Sequence, residues 1–156
     1  MTDTKQFTEQ HEDLMNVAHQ LVTALGVDTP ARDVWEIRGI LSTLAGKLKV
    51  HLVLEDNILY SALLSSSDEN VRSVSQQFMD EMGGIAKAFQ AYLEKWPHAM
   101  AVEERPQEFN DETQAILTVL AERIEKEEKI LYPMARTNTE HHETVLPGAP
   151  NSVHAA

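Results

Sequence analysis

The chain contains no cysteine. That absence removes disulfides, thiolate metal sites, iron–sulfur clusters and cysteine nucleophiles together. Any metal must therefore be held by histidine and carboxylate. Basic residues are also in short supply, with 13 Lys and Arg against 25 Asp and Glu and a formal net charge of −12. Phosphate recognition needs a basic face, so the charge argues against a nucleic-acid partner, and docking on an anionic membrane surface is equally disfavoured. Long apolar runs are missing too: no stretch suffices to span a bilayer. The opening "MTDTKQFTEQ" is polar and acidic, without the apolar core of a signal segment. A soluble cytoplasmic protein is the expectation, although a cysteine-free chain suits other compartments as well. There is no P-loop and no dinucleotide fingerprint.

What remains is an ordinary globular composition, 42% hydrophobic and 24% charged. A chain of 156 residues suffices for one domain with its own hydrophobic core. Punctuation divides it into four periodic segments. The first spans about Asp3 to Leu25, with Gly26 as its C-terminal cap. In "VDTPARDVWEI", Asp28 or Thr29 caps a second segment, with Pro30 in its first turn, running to about Leu64. A third reaches from about Asp68 to Trp96, stopped by Pro97. After the linker "PHAMAVEERPQEF", a fourth begins near Asn110 and ends at "LYP", where Pro133 opposes further helix.

Each segment carries one apolar seam in steps of three and four. The seams are Phe7, His11, Leu14, Ala18, Leu21 and Leu25; Ile37, Leu41, Leu44, Leu48, His51, Glu55 and Ile58; Val71, Val74, Phe78, Met82, Ile85, Phe89 and Tyr92; and Thr113, Ile116, Leu120, Arg123, Glu127, Ile130 and Met134. No useful strand pattern competes. Four such stripes predict an all-α, antiparallel up-down-up-down four-helix bundle over residues 1–136. The rest, 137–156, reads as a flexible polar tail.

The informative residues are the polar ones on these seams: His11, His51, Glu55, Arg123 and Glu127. At a rise of about 1.5 Å per residue, antiparallel packing brings all five, with Met82, into one half of the core. Burying them there demands pairing or a metal. His51 and Glu55 are four apart and project from one helix face, an arrangement of imidazole and carboxylate that a divalent first-row ion accepts. Two bland readings stand beside this one. A single seam histidine is usually a hydrogen-bonded core residue, and Glu127 can simply pair with Arg123. His19, His98, His141, His142 and His154 read as surface residues, and Glu128 as a solvated one. Glu-x-x-His, the paired motif of ferritin-like di-iron bundles, is absent. His11-Glu12 is followed by Met15 where a zinc protease needs histidine. Gly83-Gly84, in mid-helix after Met82, suggests close helix packing, a kink, or room for a small ligand.

Over about residues 5–136 the chain resembles the haemerythrin-like family, the HHE cation-binding domains. The resemblance is carried by "QHEDLMNVAHQL", "KLKVHLVLEDNILYSALL" and "LAERIEKEEKILYPMA". It implies a four-helix bundle with a non-haem iron site, usually di-iron, that binds oxygen or nitric oxide or senses iron or redox state. His11, His51, Glu55 and Glu127 match ligand positions. Met82 and Arg123 stand where the third and fourth helices of the family give histidine. The resemblance therefore implies a full ligand set for one metal and neither histidine for its neighbour. Arg123 would then sit near the vacant position, holding Glu127 and Glu55.

Two functions follow as expectations. One is a binding or sensing protein with a single non-haem iron, or another divalent ion such as zinc, acting on a small diatomic ligand rather than as an enzyme. The other is a metal-free interaction module in which Arg123 replaces the metal charge and the acidic surface serves a protein partner.

Overall fold

The computed structural model describes residues 3–26 and 33–143, with side chains through 138. Four rods form the bundle. The first is helix α1 (Lys5–Ala24). The second joins α2 (Val34–Leu54), a π-helical turn (Glu55–Tyr60) and α3 (Ser61–Leu64). Helix α4 (Glu69–Lys95) is the third. A short helix, α5 (Ala99–Glu104), fills the expected linker. The fourth rod joins α6 (Pro106–Lys126), a second π turn (Glu127–Leu131) and α7 (Tyr132–Glu143). Among the described residues no helix is long and apolar enough to cross a membrane.

Helix starts follow local chemistry. Asp33 caps α2 by accepting from the Trp35 amide at 2.9 Å, and Asp68 caps α4 through the Asn70 amide at 2.9 Å. Each side chain satisfies a donor that the first turn leaves unpaired. The expected caps Asp28 and Thr29 lie outside the described residues. Pro106 starts α6, four residues before the expected Asn110, because proline fits the first helical turn.

Neighbouring rods run in opposite directions. The start of α1 meets the end of the fourth rod, where the Phe7 and Tyr132 rings lie 6.0 Å apart. Near the start of α2, Arg38 Nε donates to the Trp96 carbonyl at the end of α4 at 2.8 Å. Tyr92, late in α4, shares a 2.6 Å hydrogen bond with Thr113, early in α6. The fold is the expected all-α bundle.

Its core has two apolar parts. One contains Leu14, Leu48, Phe89 and Leu120; the other contains Phe7, Leu59, Phe78 and Leu131. Along every rod the polar seam residues, or Met82 in α4, lie between these parts. A buried polar layer thus separates two apolar clusters.

Two expectations about the seams fail for one reason. Ile58 and Ile130 were expected inside, yet they are 43% and 48% exposed, while Leu59, Tyr60, Leu131 and Tyr132 are buried. The π turns supply the cause. Their wider turn delays the buried face by about one residue relative to an α-helix. The second π turn also bears on Pro133. The expected stop there does not occur, and α7 continues to Glu143. Pro133 directly follows backbone that already departs from i→i−4 pairing, so its missing donor disrupts little. The first part of the expected tail, 137–143, is therefore helical; residues 144–156 lie outside the described residues.

Candidate metal centre

The two π turns begin at Glu55 and Glu127, the two carboxylates of the polar layer. His11 comes from α1 and His51 from the last turn of α2. All four side chains are buried, and each offers one ligand atom within 4.8 Å of the others. The closest approaches are tighter. His11 Nε2 lies 3.1 Å from His51 Nε2 and 3.0 Å from Glu127 Oε2, and His51 Nε2 lies 3.2 Å from Glu55 Oε1.

The outer ring nitrogens are tied off by acceptors. His11 Nδ1 is 3.2 Å from Glu128 Oε1, and His51 Nδ1 is 2.6 Å from Gln10 Oε1. A carboxylate or amide oxygen there fixes hydrogen on Nδ1 and turns the Nε2 lone pair inward, as outer partners of metal-ligating histidines do. Two inward lone pairs at 3.1 Å repel each other unless a cation or proton lies between them. Glu55 Oε2 is buried with no hydrogen-bond partner. An unsatisfied buried carboxylate oxygen is costly. The donor set and this orphaned oxygen both fit a metal ion.

Protonation follows the same logic. For His11, burial favours the neutral ring, but the hydrogen bond and charge of Glu127 outweigh it and the pKa rises. Burial raises the Glu55 carboxyl, and the neighbouring Glu127 charge adds to the rise. Burial would raise Glu127 as well, yet His11 and Arg123 bring it below the usual carboxylate range. The rises at His11 and Glu55 both act against net negative charge in the layer.

Arg123 occupies the side of the layer facing α4, at 4% exposure. Its Nε donates to Glu127 Oε1 at 3.1 Å, and Nη2 donates to Tyr60 Oη at 3.1 Å and to the Phe78 carbonyl at 2.6 Å. Nη1 reaches Glu81 Oε2 at 3.3 Å, and the guanidinium lies 4.6 Å from the Phe78 ring centroid. The expected bond from Arg123 to Glu55 is not among these contacts. Glu55 is taken instead by His51 and by Tyr132, whose hydroxyl donates to Oε1 at 2.5 Å. Met82 is buried and shares a cavity with His11, His51, Arg123 and Glu127. That cavity is otherwise apolar, and it leaves about 20 Å³ open to a water-sized molecule.

Gly83 and Gly84 contribute nothing to this space. A Cβ at either position meets no atom within 4 Å, so neither close packing nor a ligand channel explains them. Gly83 and Gly84 face outward, as does His19.

Sequence reasoning missed Tyr60, Tyr132, Gln10, Glu81 and Glu128. A signal for the two tyrosines was present. Both segments read Glu, then Ile-Leu-Tyr, so tyrosine falls five residues after each glutamate. In an α-helix a residue five on leaves the face of the first, whereas in a π turn it returns to it. Glu128 is not simply solvated, since its half-exposed carboxylate reaches His11.

Fold and site together define a four-helix bundle with a buried two-histidine, two-carboxylate cluster that can hold a metal ion. The chain belongs to the hemerythrin HHE cation binding domain family, whose model matches residues 2–135. Neither curated proteins nor solved structures include a match to it.

Proposed function

We propose that the protein holds one non-haem metal ion through His11, His51, Glu55 and Glu127, iron first and another divalent ion such as zinc second. In this reading the centre binds or senses a small diatomic ligand, oxygen or nitric oxide, or a redox state. The carrying observation is the convergence of two imidazole nitrogens and two carboxylates on one buried point, beside the unpartnered Glu55 Oε2. When bound, iron supplies one-electron redox chemistry and affinity for diatomic ligands.

The chain's own residues do the rest. Glu128 and Gln10 orient the two imidazoles. Arg123 holds Glu127 and, as a fixed cation, stands in for a second ion. Leu14, Leu48, Leu117 and Leu120 line a cavity of a size suited to a diatomic molecule and keep it apolar.

A second reading, a metal-free interaction module, is favoured by how fully the Arg123 guanidinium is bonded to protein groups. Metal analysis of untagged protein and anaerobic ferrous titration separate the two. The metal reading expects binding near one ion per chain, lost in His51→Ala. Wild-type protein that takes up no iron or zinc would sink it and leave the module. For the ligand, nitric oxide is titrated into the ferrous-loaded protein. Ala18→Leu, which fills the cavity, should retain iron and lose nitric oxide; unchanged nitric oxide binding would count against the cavity as the ligand space.

A further inference from the structure

Tyr132 does more than a packing residue needs to do. The π turn before it brings its ring into the core at 1% exposure. Its hydroxyl oxygen lies 2.5 Å from Glu55 Oε1, 3.0 Å from His11 Nε2 and 3.3 Å from Glu127 Oε2. Among the histidines and carboxylates themselves the close separations are 3.0–3.2 Å. Donor atoms about 2.0–2.2 Å from one cation stand roughly 3 Å apart when the angle between them is near 90–100°. Tyr132 Oη is spaced from His11 and Glu127 as a further corner of one coordination shell would be, and its shorter contact to Glu55 Oε1 is the hydrogen bond its own proton makes.

We propose that Tyr132 is a phenolate ligand of the ion held by His11, His51, Glu55 and Glu127. This rests on the metal-binding reading and extends it. On coordination the phenol O–H bond breaks, an O–metal bond forms and the proton leaves to solvent; nothing is oxidised or reduced. Without a cation the phenol keeps its proton and donates it to Glu55 Oε1. A divalent charge at bonding distance inverts that preference, as it does for other acidic ligands.

Charge balance supports the assignment independently. Glu55 and Glu127 bring two negative charges to the buried layer, and Arg123 takes up one of them through Glu127. A divalent ion would leave an excess positive charge there, which a low-dielectric interior disfavours. Glu81 and Glu128 have side chains 39% exposed, so water screens them. A phenolate at the centre restores neutrality.

Tyr60 is the internal control. It follows Glu55 by the same five residues, but its oxygen accepts from Arg123 Nη2 at 3.1 Å and faces the guanidinium.

The test uses the full chain, loaded anaerobically with ferrous ammonium sulfate, oxidised with ferricyanide and desalted. Wild type should show a visible phenolate-to-ferric charge-transfer band and, on excitation into it, tyrosine ring modes in the resonance Raman spectrum. Ring-deuterated tyrosine should shift those modes. Tyr60→Phe should keep the band, and Tyr132→Phe should lose it while retaining iron. The wild-type spectrum is decisive even if Tyr132→Phe does not fold. Stoichiometric iron without tyrosinate modes, or a band that survives in Tyr132→Phe, overturns this assignment alone. Failure to take up any iron or zinc overturns it together with the metal-binding reading.

Discussion

Arg123 and Glu127, one helical turn apart, meet at 3.1 Å inside the bundle, and the other oxygen of Glu127 faces His11 Nε2 at 3.0 Å. One carboxylate thus ties a permanent cation to a histidine cluster. Arg123 is 4% exposed, so its charge is not dissipated in water. The pair separates two parts of the layer: a guanidinium side against α4 and a histidine side against α1 and α2.

Removing the guanidinium takes the donor from Glu127 Oε1, the Phe78 carbonyl and Tyr60 Oη together and leaves the buried Glu127 charge without its fixed cation. Arg123→Met should therefore cost metal-free protein about 3–5 kcal/mol, the loss typical when one partner of a buried ion pair is deleted. Urea unfolding measures it. A loss under about 1 kcal/mol would mean that the layer relaxes without its cation.

The outer partners of the histidines should matter to metal affinity without touching the metal. Gln10→Ala and Glu128→Ala each free an Nδ1 that is now held at 2.6 and 3.2 Å. Each is expected to weaken zinc or ferrous binding about 10–100-fold. Competition with a chromophoric chelator reads the change. Unaltered affinity in both variants would show that packing alone aims the rings.

Met82 and Arg123 line the same cavity. Replacing both by histidine adds two imidazoles beside Glu127 and removes the fixed cation. On the proposed single-metal reading, Met82→His with Arg123→His should raise the metal content from one ion per chain to two. Stoichiometry that stays at one or falls to zero argues that Arg123 is not a stand-in for an ion.

At Gly83 and Gly84 the expectation is a gain. Both face open space within α4, and glycine in a helix interior costs roughly 1 kcal/mol relative to alanine. Gly83→Ala and Gly84→Ala should each stabilise by about that amount in thermal or urea unfolding, with metal content unchanged. A destabilisation would reveal a contact or a bend that the static structure does not contain.

The fold was legible because it depends on short-range repetition. Seams such as Leu41, Leu44 and Leu48 recur at the helical period, and an apolar stripe must be covered whatever covers it. The four convergent polar residues were legible for a related reason. His51 and Glu55 share a face by spacing alone, and a polar residue on an apolar seam is costly enough to stand out.

Other features depended on tertiary geometry. Sequence at α-helical spacing sent Ile58 and Ile130 inward, whereas the π turns bury Leu59, Tyr60, Leu131 and Tyr132 instead. A π turn is weak on local propensity and persists only when its surroundings hold it. Glu55 and Glu127, anchored in the polar layer, provide such a hold at the first residue of each. Partners from distant segments were likewise beyond any local pattern. Gln10 meets His51, Glu128 meets His11 and Tyr132 meets Glu55 across 41, 117 and 77 positions of chain. The sequence by itself determined a bundle with a polar layer of histidine and carboxylate. Only packing between rods decided which atoms of that layer face one another, because that choice depends on helix register rather than on residue type.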